Sequence, residues 1–94
     1  MDAFPYPVAR IGIIGGGQLG RMMVMAAQRL GCTCVVLDPT PGSPAGQVAG
    51  HQIVGDYHDP GKLRELCESC DVTTFDIEDI DAETLIELER EGRR

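Results

Sequence analysis

Gly15-Gly16-Gly17-Gln18-Leu19-Gly20 follows a short apolar run and opens an amphipathic one, and its spacing matches G-x-G-x-x-G. That pattern has physical meaning only between a strand and a helix, which is the context here. Glycine permits positive φ and lets a ligand come against the main chain. The first N–H groups of the following helix and its dipole favour an anion, most often a phosphate. The competing use is internal, a turn stripped of side chains so that helix and strand can pack. Gln18 places a long amide at the mouth of the turn, where it can meet a hydroxyl or a phosphate as donor or acceptor.

Two groups of carboxylates could face the same ligand. Asp38 ends the second apolar run, about where a dinucleotide-binding fold holds a ribose, which would indicate NAD. Followed by Pro39, it is equally an ordinary turn opener, and both readings stand. Asp76-Ile77-Glu78-Asp79-Ile80 alternates acidic and apolar residues, so an extended backbone would put Asp76 and Glu78 on one face, able to accept from ribose hydroxyls or a substrate amine. The alternative is a solvated connection. Cys32 and Cys34, with Cys67 and Cys70, form C-x-C and C-x2-C pairs whose thiolates could share a zinc ion. Both fall where regular structure is expected, so free thiols packed as small hydrophobes, with no metal, are the expectation. His51 and His58 are expected to be polar loop residues.

The elements that must position these residues are legible from periodicity. Arg10 to Ile14, Cys34 to Leu37, His51 to Val54 and Asp71 to Phe75 are short apolar runs of strand type. Leu19, Met22, Met23, Ala26, Ala27 and Leu30 predict the buried stripe of a first helix stopped by Gly31, with Val24 and Met25 off the stripe for another surface to cover. Pro44 would open one helical turn ending at Ala49. Asp59-Pro60 reads as an N-cap and first helical residue, with Leu63, Leu66 and Cys67 on one face. Asp81 would cap a last helix carrying Leu85, Ile86 and Leu88, with Gly92 at its end. Strands alternating with helices imply an α/β, Rossmann-like three-layer α/β/α fold with a parallel four-stranded sheet in the order 3-2-1-4. Ligands of such sheets bind beyond the carboxyl ends at the switch point, here between strands one and four. The two segments leaving those ends are Gly15 to Gly20 and Asp76 to Ile80.

At 94 residues the chain is one small domain, expected over residues 10–94 behind a flexible leader, 1–9, that carries Pro5 and Pro7. Eight basic against 15 acidic residues, a net charge of −7, argue against a nucleic-acid partner. No apolar run approaches bilayer length and the start lacks a signal-peptide pattern, so a cytoplasmic protein without a membrane partner is expected.

Four blocks in one order, Ile13 to Met22, Leu37-Asp38, Ser43-Pro44-Ala45 with Gln47-Val48-Ala49, and Cys70 to Glu78, resemble the start of the N5-carboxyaminoimidazole ribonucleotide synthetase family. The resemblance runs from about Arg10 to the end. It implies a pre-ATP-grasp domain of a homodimeric ATP-grasp ligase of purine biosynthesis. Such ligases use ATP and magnesium to carboxylate aminoimidazole ribonucleotide with bicarbonate. The resemblance further implies that Gln18 and Leu19, with the first carboxylate after strand four, meet the ribose and phosphate region. That carboxylate is commonly Glu in the family and is Asp76 here, one methylene shorter, which brings Glu78 into consideration. The ATP-grasp and C-terminal domains are absent from these 94 residues, so the chain alone is expected to be inactive. Glycinamide ribonucleotide transformylase, a sibling ATP-grasp enzyme, and an NAD-dependent oxidoreductase fragment are the alternatives.

Overall fold

The computed structural model describes residues 9–75 and 81–92. Asp76 and Glu78, within 76–80, and residues 1–8 of the expected leader lie outside them. The elements are β1 (Arg10–Ile14), α1 (Gln18–Arg29), β2 (Thr33–Asp38), α2 (Pro44–Ala49), β3 (Gln52–Val54), α3 (Pro60–Glu68), β4 (Val72–Phe75) and α4 (Ala82–Arg90). The four strands form one parallel sheet in the order β3-β2-β1-β4, as the alternation of strands and helices predicts. β1 is therefore central, with Ile14 beside Leu37 on one side and Phe75 on the other.

Successive residues of β1 and β2 point to opposite faces and build two cores. Ile13, Cys34 and Val36 pack with Val24 and Ala27 of α1 and Ala45 of α2. Ile14, Val35, Leu37 and Ile53 pack with Leu63 and Leu66 of α3, and Leu85 of α4 joins them. Gly12 lets α3 come close, because a Cβ there would lie 3.1 Å from Leu66 Cγ, Cys70 Sγ and Thr73 Oγ1. Leu63 and Leu66 are fully buried, each worth roughly 1.5–3 kcal/mol relative to exposure.

Caps form where the sequence places them. The Asp59 carboxylate accepts from the Gly61 and Lys62 amides with Pro60 as the first helical residue, and Asp81 accepts from the Thr84 amide. Ser43, which the sequence presents as turn chemistry, caps α2 by accepting from Gly46 N–H at 3.1 Å. Among the described residues no helix is long and apolar enough to cross a membrane.

The buried face of α1 differs from expectation. Of the predicted stripe Ala27 is buried and Met23 is half-buried against the core, whereas Leu19, Met22 and Leu30 are 55%, 57% and 70% exposed, and Gly20 and Val24 are buried instead. The helix is wedged between sheet and α2, where Gln28 Nε2 donates to the Val48 carbonyl at 2.8 Å. Close approach on two sides selects small and β-branched side chains over Leu and Met. Val24 is thus core, and Met25, 41% exposed, joins Leu19, Met22 and Leu30 on an outward apolar face. In α4, Leu88 is buried and Ile86 faces outward.

Candidate functional site

The turn between β1 and α1 divides into an inward and an outward half. Gly15 has φ of 117°, a conformation open to glycine and strained for other residues, and its N–H donates to the Leu37 carbonyl at 3.0 Å. Gly16 is held from both sides: its N–H donates to Asp38 Oδ2 at 2.8 Å, and its carbonyl accepts from Ala45 N–H at 2.9 Å. A Cβ on Gly16 would lie 2.8 Å from Ser43 Cβ and 2.9 Å from Asp38 Cβ, and one on Gly20 would run into the Gly15 carbonyl oxygen. Gly15, Gly16 and Gly20 are therefore packing glycines, with the first two amides spent inside the fold.

Gly17, Gln18 and Leu19 form the other half, and all three are exposed. Gly17 is the N-cap of α1, with φ of −76° and ψ of −161°, backbone that any residue adopts. A Cβ there would meet nothing within 4 Å. Neither strain nor crowding accounts for glycine at this position. Gly17 brings no side-chain hydrogen bond to the helix start, and the first turn of α1 holds no acidic residue. Among the described residues no carbonyl outside the helix receives the Gly17, Gln18 or Leu19 N–H. Three exposed residues at the positive end of a 12-residue helix thus offer N–H groups of the kind that can take an oxyanion.

Asp38 is where sequence left two readings open, and its surroundings decide between them. Asp38 is 8% exposed. Oδ2 accepts from Gly16 N–H at 2.8 Å and from the Tyr57 hydroxyl at 2.6 Å, and Oδ1 accepts from Thr40 N–H at 2.8 Å. Burial pushes the Asp38 carboxyl up, but the bonds from Tyr57, Thr40 and Gly16 outweigh it and hold the group below its ordinary value. With both oxygens engaged, Asp38 is a brace for the turn and not a ribose acceptor, which removes the main support for NAD.

Gln52 and Tyr57 complete the brace, and sequence reasoning missed both. Gln52 Nε2 donates to the Asp38 and Thr40 carbonyls at 3.3 and 2.8 Å, while its Oε1 accepts from Ser43 Oγ at 3.1 Å. An amide entering a short edge strand and an aromatic in a loop carry no sequence signal for such roles. The Ser43-Pro44-Ala45 block had a signal, Ser before Pro as N-cap and first helical residue. Its function is to seat α2 on the glycine turn.

Cys32 and Cys34 pack in the core under α1 and Cys70 against the core under α3. Cys34 and Cys67 are buried and Cys32 and Cys70 half-buried, all as free thiols. Burial pushes the Cys34 and Cys70 thiols up, as expected of packed side chains. Among the described residues no three His, Cys, Asp or Glu side chains converge as a metal site. His51 and His58 are exposed. A cavity of about 230 Å³ between β4 and α4, lined by Ile14, Thr73, Phe75 and Leu85 among others, is mostly apolar.

Comparison with known proteins gives the family and the fold. A family model described as the ribonucleotide synthetase preATP-grasp domain matches residues 8–94. The N5-carboxyaminoimidazole ribonucleotide synthase of Brucella melitensis is 53% identical over 74 residues, 79% of this chain and 20% of the relative. The crystal structure of the synthetase from Thermotoga maritima superimposes with a TM-score of 0.90 at 52% identity, covering 92% of this chain and 24% of that one. The Aspergillus clavatus synthase in complex with ADP and 5-aminoimidazole ribonucleotide gives a TM-score of 0.82 at 40% identity, over 89% of this chain and 23% of that one. A glycinamide transformylase from Mycobacterium tuberculosis, at 23% identity and a TM-score of 0.79 over 87% of this chain and 24% of that one, shares the fold alone. The chain spans about a fifth of the length of the curated relatives it matches. It belongs to the ribonucleotide synthetase preATP-grasp domain family.

Proposed function

We propose that this chain is the ribonucleotide-binding portion of an ATP-dependent carbon–nitrogen ligase that carboxylates 5-aminoimidazole ribonucleotide with bicarbonate, and that the outward half of the glycine turn receives the substrate. Gly17 carries this reading: a glycine that neither its backbone angles nor its neighbours require, beside first-turn amides without an internal cap. A ligand in van der Waals contact with the main chain supplies the missing requirement. The substrate phosphate would take the Gly17, Gln18 and Leu19 amides, and the Gln18 side chain would meet a ribose hydroxyl or phosphate oxygen. Asp76 and Glu78, outside the described residues, are the proposed carboxylate acceptors for the same ligand. Gly15, Gly16 and Gly20 shape the turn from behind.

The chemistry of ATP and magnesium is activation of bicarbonate, and the reading assigns neither to a described residue of this chain. ATP enters on the strength of relatives whose structures hold ADP or ATP. An ATP-grasp domain and a second copy of the ligase are its proposed protein partners, and the outward Leu19, Met22, Met25 and Leu30 offer apolar surface for one of them. The part played here is to bind and orient the amine-bearing ribonucleotide.

An exposed helix terminus supplies roughly 0.3–1 kcal/mol, well short of the about 4 kcal/mol of a millimolar complex, so binding by this chain should be weak, millimolar at best. Calorimetric titration with aminoimidazole ribonucleotide, NADH and ATP in parallel tests the reading. Heat with the ribonucleotide in excess of the other two supports it; saturation by NADH with none by the ribonucleotide overturns it.

A further inference from the structure

Tyr57, between β3 and α3, is half-buried against the core of Ile14, Val35, Leu37 and Leu63. Its hydroxyl donates at 2.6 Å to Asp38 Oδ2, the same oxygen that receives the Gly16 N–H. Its carbonyl accepts from Asp81 N–H at 3.2 Å. Asp81 in turn caps α4, accepting from the Thr84 hydroxyl at 2.6 Å and the Thr84 amide at 3.2 Å. One residue thus reaches the turn after β1 with its side chain and the start of α4, beyond β4, with its main chain.

We propose that Tyr57 is a positioning residue that fixes the Gly16–Gln18 turn and couples it to the start of α4. Its importance for ligand binding rests on the functional reading above; its hold on the turn does not. The chain of contacts is short and charge-assisted. Tyrosine donates to an ionised carboxylate, the strong class of hydrogen bond, and that carboxylate's other partners are the amides of Gly16 and Thr40. All three donors lie in connecting segments, but only the tyrosine hydroxyl is carried on a ring packed against the core. Without the tyrosine hydroxyl, the carboxylate loses the one donor set on a core-packed ring, and the turn above it loses its fixed reference. A phenylalanine ring could fill the same space, so the hydroxyl is separable from packing.

The test is Tyr57→Phe in this chain, read by amide hydrogen exchange and by titration with aminoimidazole ribonucleotide. The expected result is Gly16 exchange faster by about 3- to 10-fold, the effect of losing one net hydrogen bond. Val36 and Leu37 amides should be unchanged, the Gly16 and Asp81 resonances should both shift, and ribonucleotide affinity should fall about 5-fold. Asp38→Asn should repeat the pattern of Gly16 exchange. Unchanged Gly16 exchange, a shift confined to Gly16, or exchange accelerated evenly across the sheet would overturn the proposal. If the unaltered chain does not bind the ribonucleotide but Tyr57→Phe still frees Gly16 and shifts Asp81, the positioning role stands and the functional reading fails.

Discussion

Replacing Gly17 with serine should make the protein more stable and worse at binding. The Gly17 backbone, φ −76° and ψ −161°, is already in the extended region that N-cap residues use. A Cβ meets nothing within 4 Å, so no strain opposes the change. Serine at an N-cap is favoured over glycine by a few tenths of a kcal/mol, and removing a glycine from the unfolded chain contributes about 0.4–1 kcal/mol more. The sum, about 0.5–1.5 kcal/mol, corresponds to a melting temperature raised by roughly 2–10 °C for a domain of this size. The serine hydroxyl would at the same time accept the Leu19 or Gly20 N–H and occupy the space over the turn, removing one donor and the close approach. Ribonucleotide affinity should fall at least tenfold, the loss of one charge-assisted hydrogen bond with added crowding. Thermal unfolding and calorimetric titration of the same sample read both quantities. A lower melting temperature would mean that Gly17 is structurally required, and unchanged affinity would mean that the turn does not meet the ligand.

Gly16→Ala should do the opposite in stability, losing about 1–3 kcal/mol by overpacking against Ser43 and Asp38, measured by urea unfolding; a neutral result would contradict the packing. Asp38 makes an acid-dependent contribution. Its folded-state value lies below the ordinary one, so the stability it supplies is complete above its unfolded value of about 3.9 and is lost as pH falls through the lower folded value. The stability difference between wild type and Asp38→Asn should accordingly shrink as urea midpoints are followed from neutral pH to acid, and a constant difference would refute the assignment. Under native conditions an aromatic disulfide reagent should label Cys32 and Cys70 before the buried Cys34 and Cys67. All four should react in denaturant without release of zinc; stoichiometric zinc in the native protein would defeat that view.

The sheet was legible because each strand is short, apolar and followed by a helical repeat, which leaves few parallel orders. Caps were legible at Asp59-Pro60 and Asp81 because their chemistry is local. The inward face of α1 was not. Leu19, Met22 and Leu30 satisfy a 3.6-residue period as well as Gly20, Val24 and Ala27 do, and only the proximity of α2 decides which stripe goes inside. The six-residue turn was legible as a glycine-rich link between β1 and α1, but its division was not: Gly15, Gly16 and Gly17 are identical in sequence and differ in φ, neighbours and exposure. Asp38 shows the same limit, since its role depends on Gly16, Thr40 and Tyr57, the last 19 positions away. Local pattern carries no such pairing.

The most direct test of the central claim is a two-dimensional NMR titration of this chain with aminoimidazole ribonucleotide, followed at the backbone amides. The account predicts saturable shifts concentrated on Gly17, Gln18 and Leu19, small ones at Gly15 and Gly16, whose N–H groups are engaged internally, and none along the far end of α1. Shifts clustering elsewhere, with the Gly17 to Leu19 amides unmoved at high ligand concentration, would contradict it and leave the glycine turn with a structural role alone.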